Sequence, residues 1–185
     1  QIVPTTGRFF DGMPQVIRAL PYLNYAITIN GAQVQDLRSG EIVYRAELPL
    51  PLALAILEYL DTLPVIYDCY CGNWGWMTRA MQEQAAQFIS DPHSLKMVRE
   101  LRTPVDELKS YLRARGEAVQ KLQLFVKDPS CRPAVMAERE RRFPGIAAST
   151  SLANNIELND AAANKGDAVR ALASHLGLSM AQTIS

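Results

Sequence analysis

The sequence is short of the residues that usually hold a metal or form a disulfide. It has three cysteines and two histidines in 185 residues. Cys69, Cys71 and Cys131 are an odd set, and Cys69 and Cys71 would point to the same side of a strand, too constrained for a disulfide. Cys-x-Cys with a distant His93 is a poor zinc pattern. Buried thiols in a reducing compartment fit better, so a cytoplasmic location is the expectation. Net charge is absent: 19 basic residues balance 19 acidic ones, leaving no field to recruit nucleic acid. Long apolar runs are also absent. Leu48 to Leu60 is apolar but broken by Pro49, Pro51 and Glu58, so no membrane span is expected. No signal peptide is visible.

The stretch Asn159 to Gly177 organises what is present. From Gly166 it reads as an amphipathic helix, with Val169, Leu172, Ala173 and Leu176 in one apolar stripe. Gly177 sits where a C′ glycine stops a helix. Lys165 stands at or before the first turn, where the helix dipole is already positive. A cation gains nothing there unless an anion arrives, and free N–H groups beside an ammonium make a phosphate site. A surface lysine at a helix start is the competing reading.

At the other end of the chain, Gln1-Ile2-Val3 reads as the end of a short buried strand. Pro4-Thr5-Thr6-Gly7-Arg8 is a turn rich in hydroxyls, and a helix is expected around Pro14 to Leu20. A threonine hydroxyl and adjacent N–H groups between a strand and a helix can donate to phosphate oxygens. Arg8 either adds a forked contact or braces the loop. Tyr25 to Ile29 and Gln33 to Asp36 flank Asn30-Gly31-Ala32, a strong hairpin signal. Asn30 then lies at a strand end, on the same edge as Thr6 if the two strands are parallel. Ligands collect at such edges in open α/β sheets.

From Pro49 the texture changes. Helices are expected at Pro51 to Leu60, Thr78 to Phe88, from Thr103-Pro104-Val105-Asp106 to Arg115, and at Pro133 to Phe143. Strands are expected at Val65 to Cys71, Trp74 to Met77, Val119 to Val126, Ile146 to Leu152 and Ile156 to Asn159. Asp91-Pro92-His93-Ser94 reads as a helix break. Glu138 to Arg142 alternates signs like a solvated helix face. Ile184-Ser185 reads as a strand beginning.

Asn164-Lys165-Gly166-Asp167 matches the Asn-Lys-x-Asp signature of guanine recognition, but that reading needs a Gly-x-x-x-x-Gly-Lys-Ser/Thr loop, which is absent. It also leaves Thr6-Gly7-Arg8 unexplained. The order Thr6-Gly7-Arg8, Asn30-Gly31-Ala32, a long insert, then Ile156-Glu157-Leu158 leading to Asn164-Lys165-Gly166 and a helix ending at Leu176-Gly177 resembles the Cof-type phosphatases of the haloacid dehalogenase superfamily. The resemblance covers nearly the whole chain.

The resemblance implies an α/β fold: a Rossmann-like core, a parallel sheet with helices on both faces, and an inserted α+β cap. Residues 1–47 and 156–185 would be core and 48–155 cap. Thr6 would correspond to the hydroxyl that binds the transferring phosphoryl group, and Lys165 to the lysine that neutralises it. Gly7, Arg8, Asn30 and Asn164 would line the phosphate. Tyr67, Cys69, Trp74, Trp76 and His93 are candidate cap residues. The family's Asp-x-Asp-Gly-Thr segment would precede the Thr6 turn, and its acidic Mg²⁺ motif would follow the lysine helix. Neither is among the 185 residues, so the sequence is expected to be part of a longer chain. The core would be incomplete as it stands, with nucleophile and Mg²⁺ ligands outside it.

The implied function is a phosphatase acting on a small phosphorylated metabolite, such as a sugar phosphate, through an aspartyl-phosphate. One alternative is a catalytically inactive member or fragment that binds a phosphorylated ligand or partner without turnover. Another is a phosphomutase or phosphotransferase of the same superfamily.

Overall fold

The computed structural model describes residues 1–184. It divides into two units, one made of residues 1–47 with 160–185 and the other of residues 48–159. In chain order the elements are α1 (Gln15–Arg18), β1 (Tyr25–Thr28), β2 (Gln33–Asp36) and β3 (Ile42–Arg45). Next come α2 (Leu50–Leu60), β4 (Val65–Cys71), β5 (Trp74–Thr78), α3 (Arg79–Gln84), α4 (Pro92–Glu100), β6 (Thr103–Val105) and α5 (Leu108–Arg115). They are followed by β7 (Lys121–Val126), α6 (Arg132–Arg142), β8 (Ile146–Ser149), β9 (Asn155–Asp160) and α7 (Lys165–His175).

In the first unit β1, β2 and β3 form an antiparallel sheet, with Thr28 opposite Gln33 across the expected Asn-Gly hairpin. The parallel partner of β1 is a single bridge, Thr5 to Ile27, rather than a buried strand through Val3. Ile2 is 61% exposed, so residues 1–3 lack the burial that would hold a longer strand. The expected helix at 14–20 shrinks to α1, because Pro14 lacks the N–H to extend it and Arg18 leads into a turn. Helix α7 lays Ala168 and Leu172 on Tyr25, Ile27 and Val34 of the sheet. It ends as the glycine predicts: Gly177 takes φ +68°, and the Leu178 N–H donates to the Ala173 carbonyl at 2.8 Å.

The second unit is a six-stranded sheet in the order β6-β5-β4-β7-β9-β8. Alternation along β4 explains its two faces. Val65, Tyr67, Cys69 and Cys71 join α2 and α5 in one core, while Ile66 joins Ala85, Ile89 and Val98 in another. The expected core segment at 156–159 belongs to this sheet. β9 pairs with β7, Leu158 opposite Leu122 and Ile156 opposite Leu124, and that apolar pairing moves the boundary from 155 to 159.

Two local readings are corrected. Asp91-Pro92 starts a helix instead of breaking one: the Asp91 carboxylate accepts the Ser94 N–H at 2.7 Å and Pro92 fills the first turn, where no N–H is needed. Thr103-Pro104-Val105 is not a helix start but an edge strand parallel to β5, where a proline is tolerated. Ile184 has no regular structure, and Ser185 lies outside the described residues. No helix among the described residues is long and apolar enough to cross a membrane.

Candidate active site

The candidate residues of the first unit meet around the Ile29–Gly31 turn. Thr6 is fixed on both sides by backbone bonds. Its N–H donates to the Ile27 carbonyl at 3.0 Å, and its carbonyl accepts the Asn30 N–H at 3.1 Å. Its hydroxyl oxygen accepts the Arg8 N–H at 3.2 Å, which leaves the hydroxyl proton to donate outward. Of the two roles open to Arg8, bracing is the one seen: its guanidinium donates to the Gly12 carbonyl at 3.2 Å.

The turn itself is unusual. Ile29, Asn30 and Gly31 have φ of +52°, +62° and +100°. Asparagine and glycine accept such angles; a β-branched isoleucine rarely does. The turn holds because Ile29 is fully buried and its N–H donates to the Arg8 carbonyl at 2.9 Å. The Asn30 side chain lies over Gly7, where a Cβ would come within 2.5 Å of Asn30 Oδ1. Gly31 faces the next loop: a Cβ there would sit 2.4 Å from the Asn164 carbonyl oxygen and 2.9 Å from the Lys165 nitrogen. The turn therefore touches the Thr6-Gly7 loop on one side and the start of α7 on the other.

Lys165 is the first residue of α7 and is exposed. Its side chain makes no hydrogen bond or ion pair among the described residues. Asn164 is the helix cap. Its side-chain oxygen accepts the Asp167 N–H at 2.8 Å, and its amide donates to the Asp167 carboxylate at 2.5 Å and the Ala161 carbonyl at 3.2 Å. These bonds run to its own helix start. The Asn164 bond and the Arg170 guanidinium hold the Asp167 carboxyl below the usual carboxylate range.

Among the described residues no three His, Cys, Asp or Glu side chains are grouped to hold a metal ion. Asp167 is engaged as above, and Asp160 accepts the Ala162 N–H at 2.8 Å. The residues present do not by themselves fit a magnesium site, and no step below passes through the ion.

The candidates in the second unit are largely taken up by packing. Tyr67 and Cys69 lie in the core beneath α2 and α5, with the Tyr67 hydroxyl on Asp61. Trp76 packs on Tyr111, ring centroids 4.5 Å apart, and its indole N–H donates to the Cys71 carbonyl. Trp74 donates to the Thr103 hydroxyl at 2.8 Å, and His93 lies exposed on α4.

The sequence reading missed two features. One is the contact of Gly31 with α7, for which Asn-Gly as a turn signal gave no hint. The other is a buried polar row on the second face of the sheet. Arg102 Nε stands 3.0 Å from Asp68 Oδ2, and its guanidinium donates to the Tyr70 hydroxyl at 2.7 Å. Lys121 pairs with Glu157 at 3.2 Å. Burial pushes the Asp68 carboxyl up against the pull of Arg102 and Lys121. Lys121 and Gln123 on one strand, with Asn155, Glu157 and Asn159 on the next, repeat at a spacing of two; that pattern was the available signal.

This arrangement of turn, loop and lysine helix lies in a chain matched over residues 1–185 by the profile of the haloacid dehalogenase-like hydrolases. The chain belongs to that family, and its α/β fold is the family's, as the Cof-type resemblance implied. It is similar to a haloacid dehalogenase-like hydrolase from B. subtilis (19% identity, 99% of this chain and 69% of that one, TM-score 0.76). It is also similar to a HAD/COF-like hydrolase from Plasmodium vivax (18% identity, 97% and 62%, TM-score 0.75). A third is the HAD subclass IIB sugar phosphatase BT4131 (12% identity, 97% and 64%, TM-score 0.71). The chain thus spans 62–69% of the length of these three. A search of curated proteins gave no match.

Proposed function

We propose that this chain carries the phosphoryl-binding edge of a phosphatase for a small phosphorylated metabolite of the sugar-phosphate kind. The observation that carries the proposal is Lys165. Its ammonium is exposed at the positive end of a helix with no anion among the described residues to balance it, next to a turn that also holds the Thr6 loop. In this reading the ammonium and the Thr6 hydroxyl proton stabilise charge on the phosphoryl oxygens as it develops. Gly7 and Asn30 shape the loop, and Arg8 braces it. The nucleophilic aspartate, the acid/base and the magnesium ligands lie outside the 185 residues.

The sugar-phosphate class is suggested by a structural neighbour named as a sugar phosphatase. The test is a phosphate-release assay on the full-length protein with a panel of sugar phosphates. Lys165→Met is expected to lower turnover by about 100-fold or more, the scale of losing one charge-stabilising group. Turnover retained by Lys165→Met would overturn the assignment.

A further inference from the structure

We infer that Gly31 is a positioning residue for Lys165: the absence of a side chain at 31 sets how close the start of α7 comes to the Thr6 loop. This inference rests on the phosphoryl-binding reading above. Three observations carry it. A Cβ on Gly31 would lie 2.4 Å from the Asn164 carbonyl oxygen, 2.5 Å from its carbon and 2.9 Å from the Lys165 nitrogen, all backbone atoms that cannot swing aside. The turn holding Gly31 is strained, with Ile29 at φ +52°, and strain of this kind persists only where its surroundings over-determine it. The same turn is hydrogen-bonded to Thr6 and Arg8 through the N–H groups of Asn30 and Ile29. Thr6 and Lys165 are therefore held by opposite sides of one rigid three-residue piece. A methyl group at 31 would push α7 away and carry the ammonium off the phosphate, while the Thr6 loop stays in place.

The test is a double-mutant cycle on this chain, with inorganic phosphate as the probe and backbone amide shifts as the readout. Gly31→Ala is expected to weaken phosphate binding by about 5-fold or more when Lys165 is present, and to have almost no effect in Lys165→Met, because contacting positions couple. Equal losses in both backgrounds would overturn the positioning role and leave the phosphoryl-binding reading intact. No loss on Lys165→Met alone, or no phosphate response in the unsubstituted chain, would overturn that reading and the inference with it. If Gly31→Ala does not fold, the same cycle is run with Ile29→Gly, which frees the turn without touching the ligand. Weakening confined to the Lys165 background supports the inference, and additive weakening refutes it.

Discussion

The Asn30 N–H donates to the Thr6 carbonyl at 3.1 Å, so the hairpin turn and the hydroxyl loop share a hydrogen bond. Asn30 reaches that position only at φ +62°. Asn30→Ala should therefore cost about 1 kcal/mol, the penalty for a Cβ residue without a local hydrogen-bonding side chain in the left-handed region. Asn30→Gly should cost less. Urea denaturation of the two variants checks the order, and equal losses would contradict it.

Asn164 caps α7 through the Asp167 N–H. Asn164→Ala should cost about 1 kcal/mol, whereas Asn164→Ser should cost less because serine caps as well. The same change should raise the Asp167 pKa, since its largest cause of lowering is the Asn164 bond. The sign follows: a depressed folded pKa stabilises above the ordinary carboxylate range and loses that effect as pH falls through the folded value. The native chain should lose more stability on acidification than Asn164→Ala does. NMR titration of Asp167 and denaturation at descending pH test both parts.

The Arg102–Asp68 pair is fully desolvated, with side-chain exposures of 2% and 0%. Arg102→Met leaves an uncompensated buried carboxylate and should cost about 3–5 kcal/mol. Replacing both, as Asp68→Leu with Arg102→Met, should cost less than Arg102→Met alone. Burial already raises the Asp68 pKa, so its folding contribution is fully present below the unfolded value and is lost as pH rises through the folded one. The penalty of Arg102→Met should therefore grow from pH 5 to pH 7; a flat penalty would mean that Asp68 is not charged there.

The thiols divide sharply. Cys69 and Cys71 are buried, and burial pushes Cys71 up to about 11 and Cys69 up as well, while Cys131 is exposed. Iodoacetamide at neutral pH should label Cys131 first in the native protein, and all three cysteines once it is unfolded. Rapid native labelling of Cys69 would contradict the packing of β4.

Much of this was legible in the residues. Gly177 stopped α7 as a C′ glycine should, Asn30-Gly31 made its hairpin, and β4 ran from Val65 to Cys71 as its composition suggested. What could not be read is what depends on distant partners. Ile156 and Leu158 look like any apolar strand, and only pairing with β7 assigns them to the second unit. Pro104 resembled a helix start because Thr-Pro-x-Asp is shared by caps and edge strands. The clearance at Gly31 depends on a backbone more than 130 residues away, and no local pattern encodes it.

The most direct measurement of the central claim is where inorganic phosphate acts on the chain. In a titration followed by backbone amide shifts, the account predicts the largest changes at Thr6, Gly7, Lys165 and Gly166, all lost in Lys165→Met. Shifts confined to residues 48–159, or unchanged by Lys165→Met, would contradict it.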